Sequence, residues 1–154
     1  MRVRPYAAAD LDALITLFRN SVRSVARRDY TPEQVLAWAP DVIDPQGWPA
    51  RLAASSTWVA ALDDHALGFI SLEWDGHLDM LFVRPDFQSR GVASMLLHRL
   101  ESSAKARGLV RLFTEASITA KPFFEHRRFR VIGAQTPIRR GQALANFRME
   151  RRLA

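Results

Sequence analysis

Leu81-Phe82-Val83-Arg84-Pro85-Asp86-Phe87-Gln88-Ser89-Arg90-Gly91-Val92-Ala93 is the stretch on which the fold turns. An apolar strand runs to Arg84, Pro85 breaks it, and a helix opens at a glycine with the small Ala93 two positions on. Glycine lets a ligand approach the backbone closely and adopts angles barred to other residues. The amides at a helix N-terminus, helped by the helix dipole, attract phosphate, and successive amides in a turn form a nest for an anion. Arg90 adds a cation, and Ser89 and Ser94 add hydroxyl donors. The stretch lacks the Gly-Lys-Ser/Thr end of a P-loop and the three spaced glycines of a dinucleotide fingerprint. Taken alone, it suits a phosphate cradle and also a plain helix start eased by Gly91.

Upstream, residues 57–62, 66–73 and 77–84 read as three strands joined by turns at Asp63-Asp64-His65 and Trp74-Asp75-Gly76, an antiparallel meander. Before it, a short strand (2–6) precedes an amphipathic helix over about 11–27, with Asp10 as its expected cap and Leu14, Phe18 and Val22 on its apolar face. Thr31 and Pro32 start a shorter helix ending near Trp38, residues 40–49 are turn-rich, and a helical turn is expected over 49–54. Downstream, a helix from about 90 to 107 carries Val92, Leu96, Leu100 and Ala104 on one face and stops at Gly108. A strand (109–115), a helix (120–127) capped by Ser117 or Thr119, and two strands (129–134 and 145–151) around a Gly141 loop complete the chain. This order predicts one α/β (α+β) domain over residues 1–154.

The 154 residues are 48% hydrophobic and 25% charged, enough for a core. No apolar run approaches the roughly 20 residues that span a bilayer, and Met1-Arg2-Val3-Arg4-Pro5 is no signal peptide, so a cytoplasmic protein without a membrane partner is expected. The absence of cysteine excludes disulfides, cysteine–zinc sites and a cysteine nucleophile. The net charge of +6 favours anionic partners such as a phosphate-rich ligand. The arginines are scattered, densest at Arg139, Arg140, Arg148, Arg151 and Arg152. No helix-turn-helix, zinc or base-stacking signature points to a specific nucleic acid.

In this context the Gln88–Ala93 loop resembles the acetyl-CoA loop of the GNAT superfamily of N-acetyltransferases, whose signature is Gln/Arg-x-x-Gly-x-Gly/Ala. Leu81 to Phe87 resembles the strand leading into that loop. Ala120-Lys121-Pro122-Phe123-Phe124-Glu125-His126-Arg127-Arg128-Phe129 resembles the family's second motif, and Val3-Arg4-Pro5 followed by Asp10-Leu11 its first strand and helix. Nearly the whole chain is covered, in the right order. The resemblance implies a central, mixed, mostly antiparallel sheet of about six or seven strands flanked by helices and splayed between the fourth and fifth strands. It implies acetyl-CoA as acyl-donor cosubstrate, with no metal. The main chain of Leu81, Phe82 and Val83 would hold the pantetheine arm. Gln88, Ser89, Arg90, Gly91, Val92, Ala93 and Ser94 would hold the pyrophosphate, with Ser117, Phe123 and Phe124 as further cofactor contacts.

The implied chemistry is direct attack of a primary amine on a thioester. The amine must lose a proton, and the thioester oxygen wants a backbone N–H, for which Phe82 or Val83 is the natural donor. His77 and Asp79, two apart on one strand, are the leading base or proton-wire pair; Glu73 is the reserve and Glu115 a weaker one. The alternative for the pair is an exposed turn histidine and a salt-bridge aspartate. Phe124 stands where the family's tyrosine acid usually stands, so a neighbour such as Tyr30, water or nothing replaces it, since a thiolate already leaves fairly well. Arg128 replaces a usual glycine. The acceptor is expected near Asp29, Tyr30 and Trp38, with Trp48 further on; Tyr30 and Trp38 also fit a core. Three readings follow: a small-molecule N-acetyltransferase, a protein (N-terminal or lysine) acetyltransferase, and a non-catalytic acyl-CoA-binding or nucleic-acid-binding module. A second copy of the chain is a candidate partner.

Overall fold

The computed structural model describes residues 1–44 and 46–153; Pro45 in the turn-rich stretch and Ala154 at the end of the expected domain lie outside the described residues. Strand β1 (Arg2–Pro5) leads through a 3-10 turn into α1 (Leu11–Val25). Asp10 does not cap this helix as the sequence suggests. Its carboxylate accepts the Ala7 amide at 2.8 Å and both terminal nitrogens of Arg4, each at 2.8 Å, so the strand-to-helix corner consumes its acceptors. Helix α2 (Pro32–Trp38) is capped as expected: Thr31 Oγ1 accepts the Gln34 amide at 3.1 Å, and Gln34 Oε1 accepts the Thr31 amide at 2.8 Å. Helix α3 (Gly47–Ala54) follows, longer than the single turn expected.

Strands β2 (Ser56–Leu62), β3 (His65–Leu72) and β4 (Leu78–Val83) form the meander, and β1 joins its outer edge, giving an antiparallel sheet in the order β1-β2-β3-β4. After helix α4 (Val92–Ala106), strand β5 (Arg111–Ser117), helix α5 (Lys121–His126) and strand β6 (Arg130–Gln135), the chain makes a hairpin. Its strands, β7 (Ile138–Arg139) and β8 (Gln142–Ala143), stand where the sequence suggests only a loop. Strand β9 (Asn146–Arg152) then inserts between β5 and β6. Among the described residues the two sheets are bridged at the start of β4, where His77 and Phe113 form a parallel bridge and the Thr114 hydroxyl donates to the Leu78 carbonyl at 2.9 Å. Beyond that point β4 and β5 share no ladder, which is the expected splay.

Apolar faces explain the layers. Helix α4 buries Val92, Leu96, Leu97 and Leu100 against Leu67, Ile70 and Leu112 on one side. Gly68 permits this contact: a Cβ there would lie 2.9 Å from the Phe82 carbonyl oxygen and 3.0 Å from Val92. Helix α1 buries Leu14, Phe18 and Val22 against Val59, Phe69 and Met80 on the other side. The β3–β4 ladder slips at its end, pairing Ser71 with Met80 but Leu72 with Leu78. Asp79 is therefore the extra residue of a bulge. Leu78 and Met80 consequently pack into different cores, although they are two apart.

Candidate active site

Two cavities flank β4 and share one wall. The larger, of about 480 Å3, runs from Phe123 and Ser117, past Leu81 to Val83, to the start of α4. Gly91 has φ +81, in the left-handed region, and Ser89 has φ +59. Among the described residues, no heavy atom beyond Gly91's own chain neighbours and helix backbone lies within 4 Å of where its Cβ would stand, so this turn is open. No side chain caps α4. The amides of Val92, Ala93 and Ser94, the first of the helix, are thus free to meet an anion. Arg28 and Arg127 add positive charge to the rim. Arg127 stacks over Phe123, 5.0 Å from its centroid, and donates to the Ser94 hydroxyl. The residues present fit a long ligand with a diphosphate at one end.

Every residue assigned to the cofactor by the family resemblance lines this cavity, except Arg90 and Phe124. Arg90 lies over the Phe87 ring at 5.1 Å. Phe124 is buried in the core, edge-on to Phe123 and Phe129. Gln88 turns its carboxamide back to the Val83 carbonyl at 2.9 Å, so its side chain fixes the exit of β4.

The second cavity, about 260 Å3, lies between α1, α2 and the β7–β8 hairpin. Phe82, Trp38 and Ser117 line both cavities. Phe82 holds its place through edge contacts with Phe18 and Trp38. Ser117 Oγ accepts the Ala120 amide at 3.0 Å, which braces the turn before α5; the helix itself starts from Ala120 without a side-chain cap, so neither Ser117 nor Thr119 caps it as the sequence suggests. Tyr30 also lines the second cavity, but its hydroxyl is spent: it accepts the Ile118 amide at 2.9 Å and donates its one proton to the Ala145 carbonyl at 2.5 Å. Burial, with a smaller contribution from the Asp29 charge, holds the phenol above its usual range despite the Ile118 amide. Tyr30 is therefore a strut rather than the missing acid. Asp29 lines neither cavity; its carboxylate accepts the Thr119 hydroxyl at 2.7 Å.

At the junction of the sheets the titratable groups converge. His77 Nδ1 meets Glu73 at 2.5 Å and Nε2 meets Glu115 at 2.7 Å. Asp79 forms a two-point pair with Arg51 at 2.5 and 2.8 Å. Glu73, His77 and Asp79 come together as the sequence anticipates, with one polar atom of each within 4.8 Å of the others. Strand alternation alone does not bring them there, because His77 precedes β4 and Asp79 sits on its bulge. Burial pulls the His77 pKa down, but hydrogen bonds to Glu115 and Glu73 and the surrounding carboxylate charge outweigh it and raise the value to about 9. His77 is thus an imidazolium at neutral pH and cannot accept a proton there. Of this group only Asp79, Glu115 and Arg51 line the second cavity.

Sequence reasoning missed Arg127, Asn146 and the hairpin arginines Arg139 and Arg140. Arg127 follows Phe123 by four residues, the spacing that places a cation over a ring on one helix face, so its signal was present. Asn146 carries no local signal, because the long-range β5–β9 ladder positions it, and the Gly141 loop marks the hairpin's turn without marking its arginines as part of a site.

Residues 26–151 match the family model described as acetyltransferase (GNAT) domain. The chain is 40% identical over 149 residues to the N-acetyltransferase YafP of Escherichia coli (strain K12), itself uncharacterized, covering 97% of this chain and 94% of that one. The crystal structure of a GCN5-related N-acetyltransferase from Rhodopseudomonas palustris superposes with a TM-score of 0.95 at 36% identity, covering 99% and 95% of the two chains. A PaiA N-acetyltransferase from Thermoplasma acidophilum, solved with coenzyme A, shares the fold at TM-score 0.77 and 18% identity, over 99% and 98% of the chains.

Proposed function

The chain belongs to the GNAT family of acetyltransferases, and from that premise we propose that it acetylates the primary amine of a small molecule by direct attack. The observation that carries this reading is the shared wall of Phe82, Trp38 and Ser117 between the two cavities. It leaves one place where a thioester in the first cavity can meet an amine in the second. The small volume of the second cavity and the hairpin over it favour a small acceptor over a folded protein surface.

Acetyl-CoA, when bound, supplies an activated acetyl thioester. The chain's residues do the rest. The start of α4 takes the diphosphate through its amides, with Arg127 and Arg28 nearby. The edge of β4 that faces the splay offers the Val83 N–H to developing negative charge, while the Phe82 N–H faces β3 in the ladder. Ser117, which accepts from Ala120, retains its own O–H to donate towards the leaving sulfur. Glu115 takes the proton of the acceptor ammonium and passes it to Nε2 of a neutral His77, whose Nδ1–H rests on Glu73. Because His77 is neutral only above about pH 9, the relay is more available as pH rises, towards the pKa near 10 of an alkylammonium.

Thiol release from acetyl-CoA with a panel of amines tests the proposal, with calorimetry of acetyl-CoA alone as control. Turnover of small amines, rising with pH to about 9, is expected. Binding without turnover of any amine would favour a non-catalytic module, and preference for peptides would favour the protein reading. In Glu73→Gln the alkaline rise moves to lower pH, since a group that raises the His77 pKa is gone; an unmoved profile removes His77 from the relay.

A further inference from the structure

We infer that the acceptor is a compact, amino-acid-like zwitterion, its ammonium seated at Asn146 and Glu115 and its carboxylate on Arg139. The inference rests on the transferase reading above and specifies its acceptor.

The charges lining the second cavity balance: Arg51, Arg139 and Arg140 against Asp44, Asp79 and Glu115. A ligand of zero net charge matches that balance better than a diamine or a diacid. The charges are also sorted by position. Asp79 and Glu115 lie on the strands that form the floor, whereas Arg139 and Arg140 lie on the hairpin that forms the roof. With Asp79 neutralised by Arg51, a ligand spanning floor to roof meets the Glu115 carboxylate at one end and guanidinium at the other.

Most of these groups already have partners. Arg51 is held by Asp79, and Arg140 donates to the Ala37 carbonyl at 2.7 Å. The Arg139 side chain makes no hydrogen bond or ion pair among the described residues, yet the residue lines the cavity. Its planar fork of donors matches a carboxylate. Asn146 shows the reverse deficit. Its Oδ1 is closed to solvent and has no hydrogen-bond partner among the described residues. A buried acceptor of this kind carries a desolvation cost until a donor reaches it. A small rotation of the carboxamide, whose terminal torsion is soft, turns it to a donor in the cavity.

The register places this acceptor at the reacting level. Asn146 pairs directly with Ser117, the residue common to both cavities, and Glu115 is two residues back along the same strand. An ammonium between Asn146 and Glu115 thus stands beside the shared wall. The carboxylate end reaches the roof, and the aromatic side of the cavity, Trp38, Trp48 and Phe82, accommodates an apolar side chain. The unpaired donor, the unpaired acceptor, the charge balance and the register all indicate one ligand class.

The test compares phenylalanine, phenylalaninamide and phenylethylamine as acceptors by thiol release, and measures phenylalanine binding to the protein–coenzyme A complex by calorimetry. The expected result is a kcat/KM for the free acid at least about tenfold above both uncharged-end analogues. In Arg139→Gln that ratio falls towards one, and Arg139→Lys restores part of it. A wild-type ratio near one, an unchanged ratio in Arg139→Gln, or absence of phenylalanine binding would overturn the inference. Phenylalanine binding without turnover of any amine would instead strike the transferase reading and leave the ligand class standing.

Discussion

Replacing His77 by Gln should remove a stabilisation that is present at neutral pH and absent at strongly alkaline pH. The imidazolium pins the start of β4 to β5: it bridges Glu73 and Glu115 at 2.5 and 2.7 Å and stacks on Phe113 with 5.0 Å between centroids. Its pKa is 6.5 when unperturbed and about 9 in the fold. At about 1.36 kcal/mol for each pH unit, the gap has a ceiling of about 3 kcal/mol. The Glu73 and Glu115 side chains are 39% and 38% exposed, and solvent screening reduces the figure to about 1–2 kcal/mol. A raised histidine pKa gives stability that is complete below 6.5 and is lost as pH rises through about 9. Urea unfolding followed by tryptophan fluorescence, at about pH 6 and about pH 10, measures it. The wild type should exceed the variant by about 1–2 kcal/mol more at the lower pH than at the higher. Asp10 and Glu150, whose carboxyls are held below their usual range by arginine hydrogen bonds, titrate on the acid side and leave this window undisturbed. An equal wild-type-to-variant difference at both pH values would refute the reasoning.

Three further outcomes are expected. Gly91→Glu should weaken acetyl-CoA binding by at least about 100-fold in calorimetry, because a left-handed backbone costs a side chain roughly 1–2 kcal/mol and the new carboxylate opposes the diphosphate; Gly91→Ala, carrying only the strain, should lose about tenfold. Tyr30→Phe deprives the Ile118 amide and Ala145 carbonyl of their partner at once; chemical denaturation should show a loss of about 2–3 kcal/mol, and the acceptor KM should rise more than the cofactor Kd. Ser117→Ala should lower kcat by about three- to tenfold, the worth of one neutral hydrogen bond, while the dissociation constant for acetyl-CoA stays within about twofold; an unchanged kcat would remove Ser117 from leaving-group stabilisation.

The order of helices and strands was legible because the apolar periods of α1, α4 and the meander are strong and Pro85, Gly108 and Asp75-Gly76 punctuate them. The Gln88–Ala93 loop was readable from its own residues only as a phosphate cradle or a plain helix start; its resemblance to the family's acetyl-CoA loop is what made it a cofactor assignment. Asp10 misled, because a good cap residue before a helix was captured by Arg4 instead. The catalytic side was readable only as a set of candidates. His77 announced a titratable group, but its charge state depends on Glu115, 38 residues away and brought close by the β4–β5 bridge. The bulge at Asp79 carries no glycine or proline to mark it. Phe124 invited a functional comparison through its place in a motif, while its burial assigns it to packing.

The hairpin over the second cavity is fastened in a particular way. Tyr30, Gln34 and Arg140 tie it to α2 and its approach, and each bond ends on a main-chain carbonyl: Ala145, Ala143 and Ala37. Carbonyls are present whatever the side chain. Sequence drift at positions such as Ile138, Arg139 and Ala143 therefore leaves the receiving ends of these tethers in place, so the lid over the acceptor is free to diversify while its anchorage persists. Libraries that vary these positions and hold Tyr30, Gln34 and Arg140 constant are a direct route to transferases with altered acceptor choice on an unaltered scaffold.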